Sequence, residues 1–186
     1  MSRGPCLGRL RSVRPGPVFG FLAAVALVAS SLAGCDHHDC YGPYCRCYPG
    51  YGCVQNCGPG PCELDCASFD AVCQSTCAND CVIGCNDGPT CRNSCGDRCN
   101  VACDHVSSCT TTCGASCQYA CTSVSSCVPR VGDASEVFCE SVGSCDVTCD
   151  GSCRVHCQNT GSCTVFCPQG TDRTQCSDGF ACGESC

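Results

Sequence analysis

Thirty-two of the 186 residues are cysteines, and they are the side chains of this chain with chemistry to offer. Thiols at such density are a liability unless oxidised to disulfides or bound to metal. The count lies far above the level that marks a disulfide scaffold. Spacing narrows the choice. No two cysteines stand as Cys-x-x-Cys, which excludes thioredoxin-type redox motifs, c-type haem attachment, standard zinc knuckles and the usual iron–sulfur runs. Cys-x-Cys occurs once, at Cys45 and Cys47. His37 and His38, between Asp36 and Asp39, carry donors that a transition metal accepts, but they read more simply as a polar spacer. His105 and His156 are isolated. No acid/base pair or activated nucleophile emerges, so no catalytic residue, cofactor or metal site is expected.

From Cys73 the cysteines obey a rule. Their spacings run 4, 4, 4, 6 and repeat, with units starting at Cys73, Cys91, Cys109, Cys127, Cys145 and Cys163. Cys182 falls one residue late for a seventh start. An 18-residue period of this kind predicts a solenoid. Each unit reads as two five-residue strands, Cys-x-φ-x-Cys, with φ often apolar. A three-residue turn such as 150–152 joins them, and five-residue turns such as 104–108 lead onward.

Alternation along a strand puts both cysteines and the middle residue on one face. The second-strand middle residues, Ile83, Val101, Tyr119, Val137 and Val155, form a candidate buried ladder. The first-strand column is more polar: Ser75, Asn93, Thr111, Pro129, Val147 and Val165. The expected fold is mainly β, a small disulfide-stapled β-solenoid of 18-residue rungs filled largely by sulfur. The alternative is an irregular disulfide-rich fold. Cysteines at i and i+4 would also share a helical face, but Gly, Ser, Thr, Asn, Asp and Val are poor helix formers.

The fourth unit informs the pairing. It keeps Cys127 and Cys139 and replaces its second and third cysteines together, by Val131 and Ser135. Joint loss is what bonded partners would show, so the expected bonds are Cys77–Cys81, Cys95–Cys99, Cys113–Cys117 and Cys149–Cys153. First and fourth cysteines could pair within a rung or with the next rung, since stacked strands lie about 4.8 Å apart. The within-rung set is favoured: Cys73–Cys85, Cys91–Cys103, Cys109–Cys121, Cys127–Cys139 and Cys145–Cys157.

The first 35 residues carry a different signal. Residues 1–17 are basic, Val18 to Ala29 is a 12-residue apolar run, and Leu32-Ala33-Gly34-Cys35 follows. The run suits a signal-peptide core and is short for a membrane span, which needs roughly 20 residues. The tetrapeptide resembles the lipobox of bacterial lipoproteins. That resemblance implies a diacylglycerol on the Cys35 thiol, cleavage between Gly34 and Cys35, and export with a lipid anchor on a bacterial membrane, facing the periplasm or the cell surface. Setting aside Cys6 and Cys35 leaves an even 30 cysteines. The expected organisation is a signal peptide at 1–34, a Tyr/Pro/Gly/Cys tether and N-terminal cap at 35–72, and the cysteine repeat region at 73–186.

Composition agrees with a scaffold. After residue 35 there is one Leu (Leu64), one Ile (Ile83), no Trp and no Met, so covalent staples must stand in for an apolar core. Residues 35–186 hold all 17 acids against six arginines, a net −11, with no Lys. That surface disfavours nucleic acid as a partner. A likeness to insect antifreeze proteins stops at Thr110-x-Thr112, because equivalent positions in other rungs carry Arg, Asp and Phe. The expectation is a non-catalytic structural or interaction lipoprotein whose partners are the membrane, through Cys35, and a protein or surface of unspecified kind. The alternative is a thiolate metal-binding protein similar in composition to metallothionein.

Overall fold

The structure, a computed structural model, describes residues 38–41, 44–47, 53–58, 60–67, 70 and 72–186. The chain divides into two compact units, Met1–Gly34 and Cys35–Cys186, and all described strands lie in the second. No helix occurs among the described residues. The strands are β1 (His38–Tyr41), β2 (Tyr44–Cys47), β3 (Cys53–Asn56), β4 (Glu63–Ala67), β5 (Val72–Thr76), β6 (Val82–Ser94), β7 (Asn100–Cys113), β8 (Gln118–Thr122), β9 (Ser126–Val131), β10 (Ser135–Glu140), β11 (Ser144–Cys149), β12 (Cys153–Gln158), β13 (Ser162–Phe166), β14 (Arg173–Cys176) and β15 (Gly179–Cys182).

They form a β-solenoid with two parallel faces. One face stacks β2, β4, the first half of β6, the first half of β7, β8, β10 and β12. The other stacks β3, β5, the second halves of β6 and β7, β9, β11 and β13. Register follows the sequence period: Val101 pairs with Tyr119, Tyr119 with Val137, and Val137 with Val155. The solenoid starts earlier than the 4-4-4-6 rule suggests. Cys53, Cys57, Cys62 and Cys66 make one more rung, with Cys53 beside Cys73 and Cys66 beside Cys85. Register steps of 19 and 20 residues hide this rung from an 18-residue template. The segment 35–72 is therefore part rung. Its cap is β1, antiparallel to β2. The far end is closed by β15 antiparallel to β12 and β14 antiparallel to β15.

The interior has the expected columns. Leu64, Ile83, Val101, Tyr119, Val137 and Val155 are at most 1% exposed on one face. Opposite them lie Gln55, Ser75, Asn93, Thr111, Val147 and Val165, also buried. The polar half of this column bonds to itself and to backbone. Gln55 Nε2 donates to Cys45 O (3.2 Å) and Asp65 O (3.1 Å), Ser75 Oγ to Gln55 Oε1 (3.4 Å), and Asn93 Nδ2 to Thr111 Oγ1 (3.2 Å). Hydrogen bonding is what makes burial of such groups tolerable.

The corners turn on left-handed residues at the solenoid period. One corner uses Asp80, Arg98, Ser116 and Ala134; the other uses Asp87, His105, Ser123, Ser141 and Asn159, all with φ between 51° and 58°. Asp, Asn and His tolerate this conformation better than most residues. At the second corner Val106, Val124 and Val142 tuck inward and are buried. What reads as a five-residue turn is thus shorter, and β7 runs straight through it. At the first corner, side chains tie successive rungs together. Asn79 Oδ1 accepts from Asp97 N (2.7 Å), Asp97 Oδ1 from Ala115 N (2.8 Å), and Asp133 Oδ1 from Ser152 N (2.8 Å). Gly132 passes so close beneath the Gly114–Ala115 backbone that a Cβ there would lie 2.7 Å from Gly114 C.

Candidate functional site

The strands bring the cysteines into two ladders, one at each corner. The fourth cysteine of a rung ends a strand of one face, and the first cysteine of the next rung begins a strand of the other. These bond across the corner as Cys47–Cys53, Cys66–Cys73, Cys85–Cys91, Cys103–Cys109, Cys121–Cys127, Cys139–Cys145 and Cys157–Cys163. This corrects the within-rung pairing: Cys73–Cys85, Cys91–Cys103, Cys109–Cys121, Cys127–Cys139 and Cys145–Cys157 are not joined. Geometry alone leaves the two patterns close. The sulfurs of Cys145, Cys157 and Cys163 all lie within 4.8 Å of one another. The upstream rung decides. Cys66 is bonded to Cys73, so each fourth cysteine finds its partner one rung on.

The second ladder joins second and third cysteines: Cys57–Cys62, Cys77–Cys81, Cys113–Cys117 and Cys149–Cys153. Cys167–Cys182 continues it into the cap, and Cys176–Cys186 pins the end. Val131 and Ser135 occupy one step of this ladder. Both are buried, and the Ser135 hydroxyl accepts from Cys117 N (3.0 Å) and donates to Gly114 O (3.4 Å). Cys45 is also disulfide-bonded. Such extensive oxidation is the signature of an oxidising environment.

One step departs from the pattern. Cys95 and Cys99 are thiols, the only ones among the described side chains, and both are buried. The expected Cys95–Cys99 bond is therefore open. Cys95 Sγ instead lies 3.0 Å from Cys113 Sγ in the next rung. Cys99 Sγ lies 3.6 Å from Gly96 O and 3.8 Å from Asp97 O. The sulfurs of Cys95, Cys99, Cys113 and Cys117 fall within 4.8 Å of one another, as do those of Cys77, Cys81 and Cys99. Burial pushes the Cys95 thiol well above the ordinary range, and the neighbouring Cys99 adds to the shift. No sequence signal separates this pair from its bonded equivalents, because the spacing is identical.

A second cluster lies at the C-terminal end. His156 Nδ1 is 2.7 Å from Asp178 Oδ2, and its Nε2 is 3.0 Å from Glu136 Oε1. Its ring stacks on Phe138 at 4.7 Å. Hydrogen bonding to His156 holds the Asp178 carboxyl below the usual carboxylate range. Both ring nitrogens are engaged by carboxylates, so neither is available to activate a nucleophile. The cluster ties the closing hairpin to the stack. Sequence reading left His156 isolated, because Asp178 and Glu136 stand 22 and 20 residues away along the chain. Cys35, the expected lipid site, lies outside the described residues, as does His37. His38 falls in β1, with its side chain outside the description. No family model matches the chain, and neither does any curated protein or solved structure.

Proposed function

We propose that this chain is an exported lipoprotein with a structural or interaction role: a disulfide-bonded β-solenoid carried on a bacterial membrane by lipid on Cys35, without catalysis of its own. The observation that carries the structural part is the filled interior. Two sulfur ladders and the columns between them occupy the space inside the rungs. The membrane part rests on Leu32-Ala33-Gly34-Cys35 following a basic region and an apolar run. One acyl chain gives marginal anchoring and two or more hold firmly, so a diacylglycerol suits a permanent attachment. The acidic, lysine-free surface favours a protein or surface partner over nucleic acid.

Phase partitioning in a clouding detergent tests the anchor. The full chain, expressed in a bacterial host, is expected in the detergent phase and to incorporate labelled fatty acid. Cys35→Ser is expected in the aqueous phase, unlabelled. An unlabelled, aqueous wild-type protein with Cys35 in a disulfide would overturn the proposal.

A further inference from the structure

We infer that the open step of the second ladder, Cys95 and Cys99, is a binding site for a soft monovalent metal ion of the copper(I) class. The inference is independent of the lipid anchor. It rests on four observations. Cys95 and Cys99 are thiols in a ladder otherwise closed by disulfides or by Val131 and Ser135. Their sulfurs lie within 4.8 Å of each other and of Cys113 and Cys117, while Cys77 and Cys81 are equally close to Cys99 from the opposite side. Both are buried, at 7% and 2% exposure. The side-chain donors gathered there are all sulfur.

Donor chemistry selects the ion. Soft sulfur ligands favour copper(I) and zinc over magnesium, calcium or manganese, which take oxygen. Zinc in a closed structural site asks for four anionic or imidazole ligands in a tetrahedron. Here two sulfurs can become thiolates, and the Cys113 and Cys117 sulfurs are tied up in a disulfide. Two thiolates satisfy a monovalent ion that accepts linear or trigonal coordination, with a disulfide sulfur as a weak third neighbour. On binding, two S–H bonds break, two metal–sulfur bonds form and two protons leave to solvent, with no change of oxidation state. Because both thiol protons must leave, binding competes with protons and strengthens as pH rises.

The solenoid supplies its own control for folding. The rung with Val131 and Ser135 carries no disulfide at this step, so Cys95→Val/Cys99→Ser copies a combination the ladder already accommodates. The experiment titrates the oxidised full chain with copper(I) delivered from a chromogenic chelator, after counting thiols with a disulfide-exchange reagent in denaturant. The expected results are two more thiols in the wild-type chain than in the double variant, one copper(I) per chain that depends on that pair, an all-sulfur first shell by X-ray absorption, and at least 100-fold weaker uptake by the double variant. Zinc(II) is expected to be retained far less tightly. Equal thiol counts in the wild-type chain and the double variant, nitrogen or oxygen ligands on the copper, or equal uptake by a folded double variant would overturn the inference. A variant that loses its sheet signature leaves the decision to the thiol count and the absorption spectrum of the wild-type protein.

Discussion

Tyr119 is the largest side chain at the centre of the solenoid, and it lies in a sulfur cage. Its hydroxyl is 3.2 Å from Cys121 Sγ and 3.3 Å from Cys127 Sγ, and the residue is fully buried. Burial raises the phenol above its ordinary range. Sulfur is a weak acceptor, so the hydroxyl contributes little and the ring much. Tyr119→Phe is expected to cost about 1 kcal/mol or less, whereas Tyr119→Ala empties a column position and costs about 3–5 kcal/mol. Denaturant unfolding with the disulfides intact measures both, and equal losses would show that the hydroxyl, not the packed ring, anchors this rung. The position of Tyr119 was legible in the sequence because Ile83, Val101, Val137 and Val155 share its place in the period. The corner valines Val106, Val124 and Val142 repeat just as faithfully. Within a segment read as a five-residue turn, no strand alternation marks them as inward-facing.

At the scale of elements, His156 adds a side-chain clamp to the closing hairpin of β14 and β15, which pairing with β12 and two disulfides also hold. His156 bridges Glu136 in β10 and Asp178 at the hairpin turn through its two ring nitrogens. Asp178 has its folded pKa depressed by that bond. A depressed carboxyl contributes stability that is present above the unfolded value, about 3.9, and is lost as pH falls through the folded pKa. Protection of the amides in 173–182, measured against intrinsic exchange at the same pH, is therefore expected to fall selectively as the solution is acidified below about pH 4. Asp178→Asn should show faster exchange already at neutral pH and little further acid response. An unchanged acid profile in that variant would place the clamp elsewhere. The rung register from Cys73 to Phe166 was legible because every step is 18, although β6 and β7 run on through corners that read as five-residue turns. The upstream rung was not, since Cys57 and Cys62, and again Cys66 and Cys73, stand one residue further apart than their equivalents, which makes the steps 20 and 19 instead of 18. Without that rung Cys73 lacks Cys66 as a partner, and the first-to-fourth ladder then reads as within-rung pairs. The second ladder needed no such partner, because Val131 and Ser135 revealed it from inside one unit.

For the whole molecule, the ladders replace what apolar mass supplies elsewhere. Each bond closes a short loop, and on the loop-entropy model each restrains the unfolded chain by about 2 kcal/mol. The across-corner bonds close smaller loops than the within-rung ones would, so each restrains a little less. Reduction and alkylation in denaturant, followed by its removal, is expected to leave a chain without a sheet signature in circular dichroism. Recovery of the sheet would mean that the valine columns and corner hydrogen bonds suffice alone. The pairing also has a mechanical consequence. Under tension along the chain, force travels through sulfur at each corner, so residues such as 78–80 and 86–90 fall outside the load path and cannot pay out. The exceptions are the corners at 96–98 and 132–134, where no disulfide spans the turn. Pulled from its ends, the solenoid would lengthen by unpeeling rungs, with hidden slack released only at these two places, and closing Cys95–Cys99 would remove the first of them.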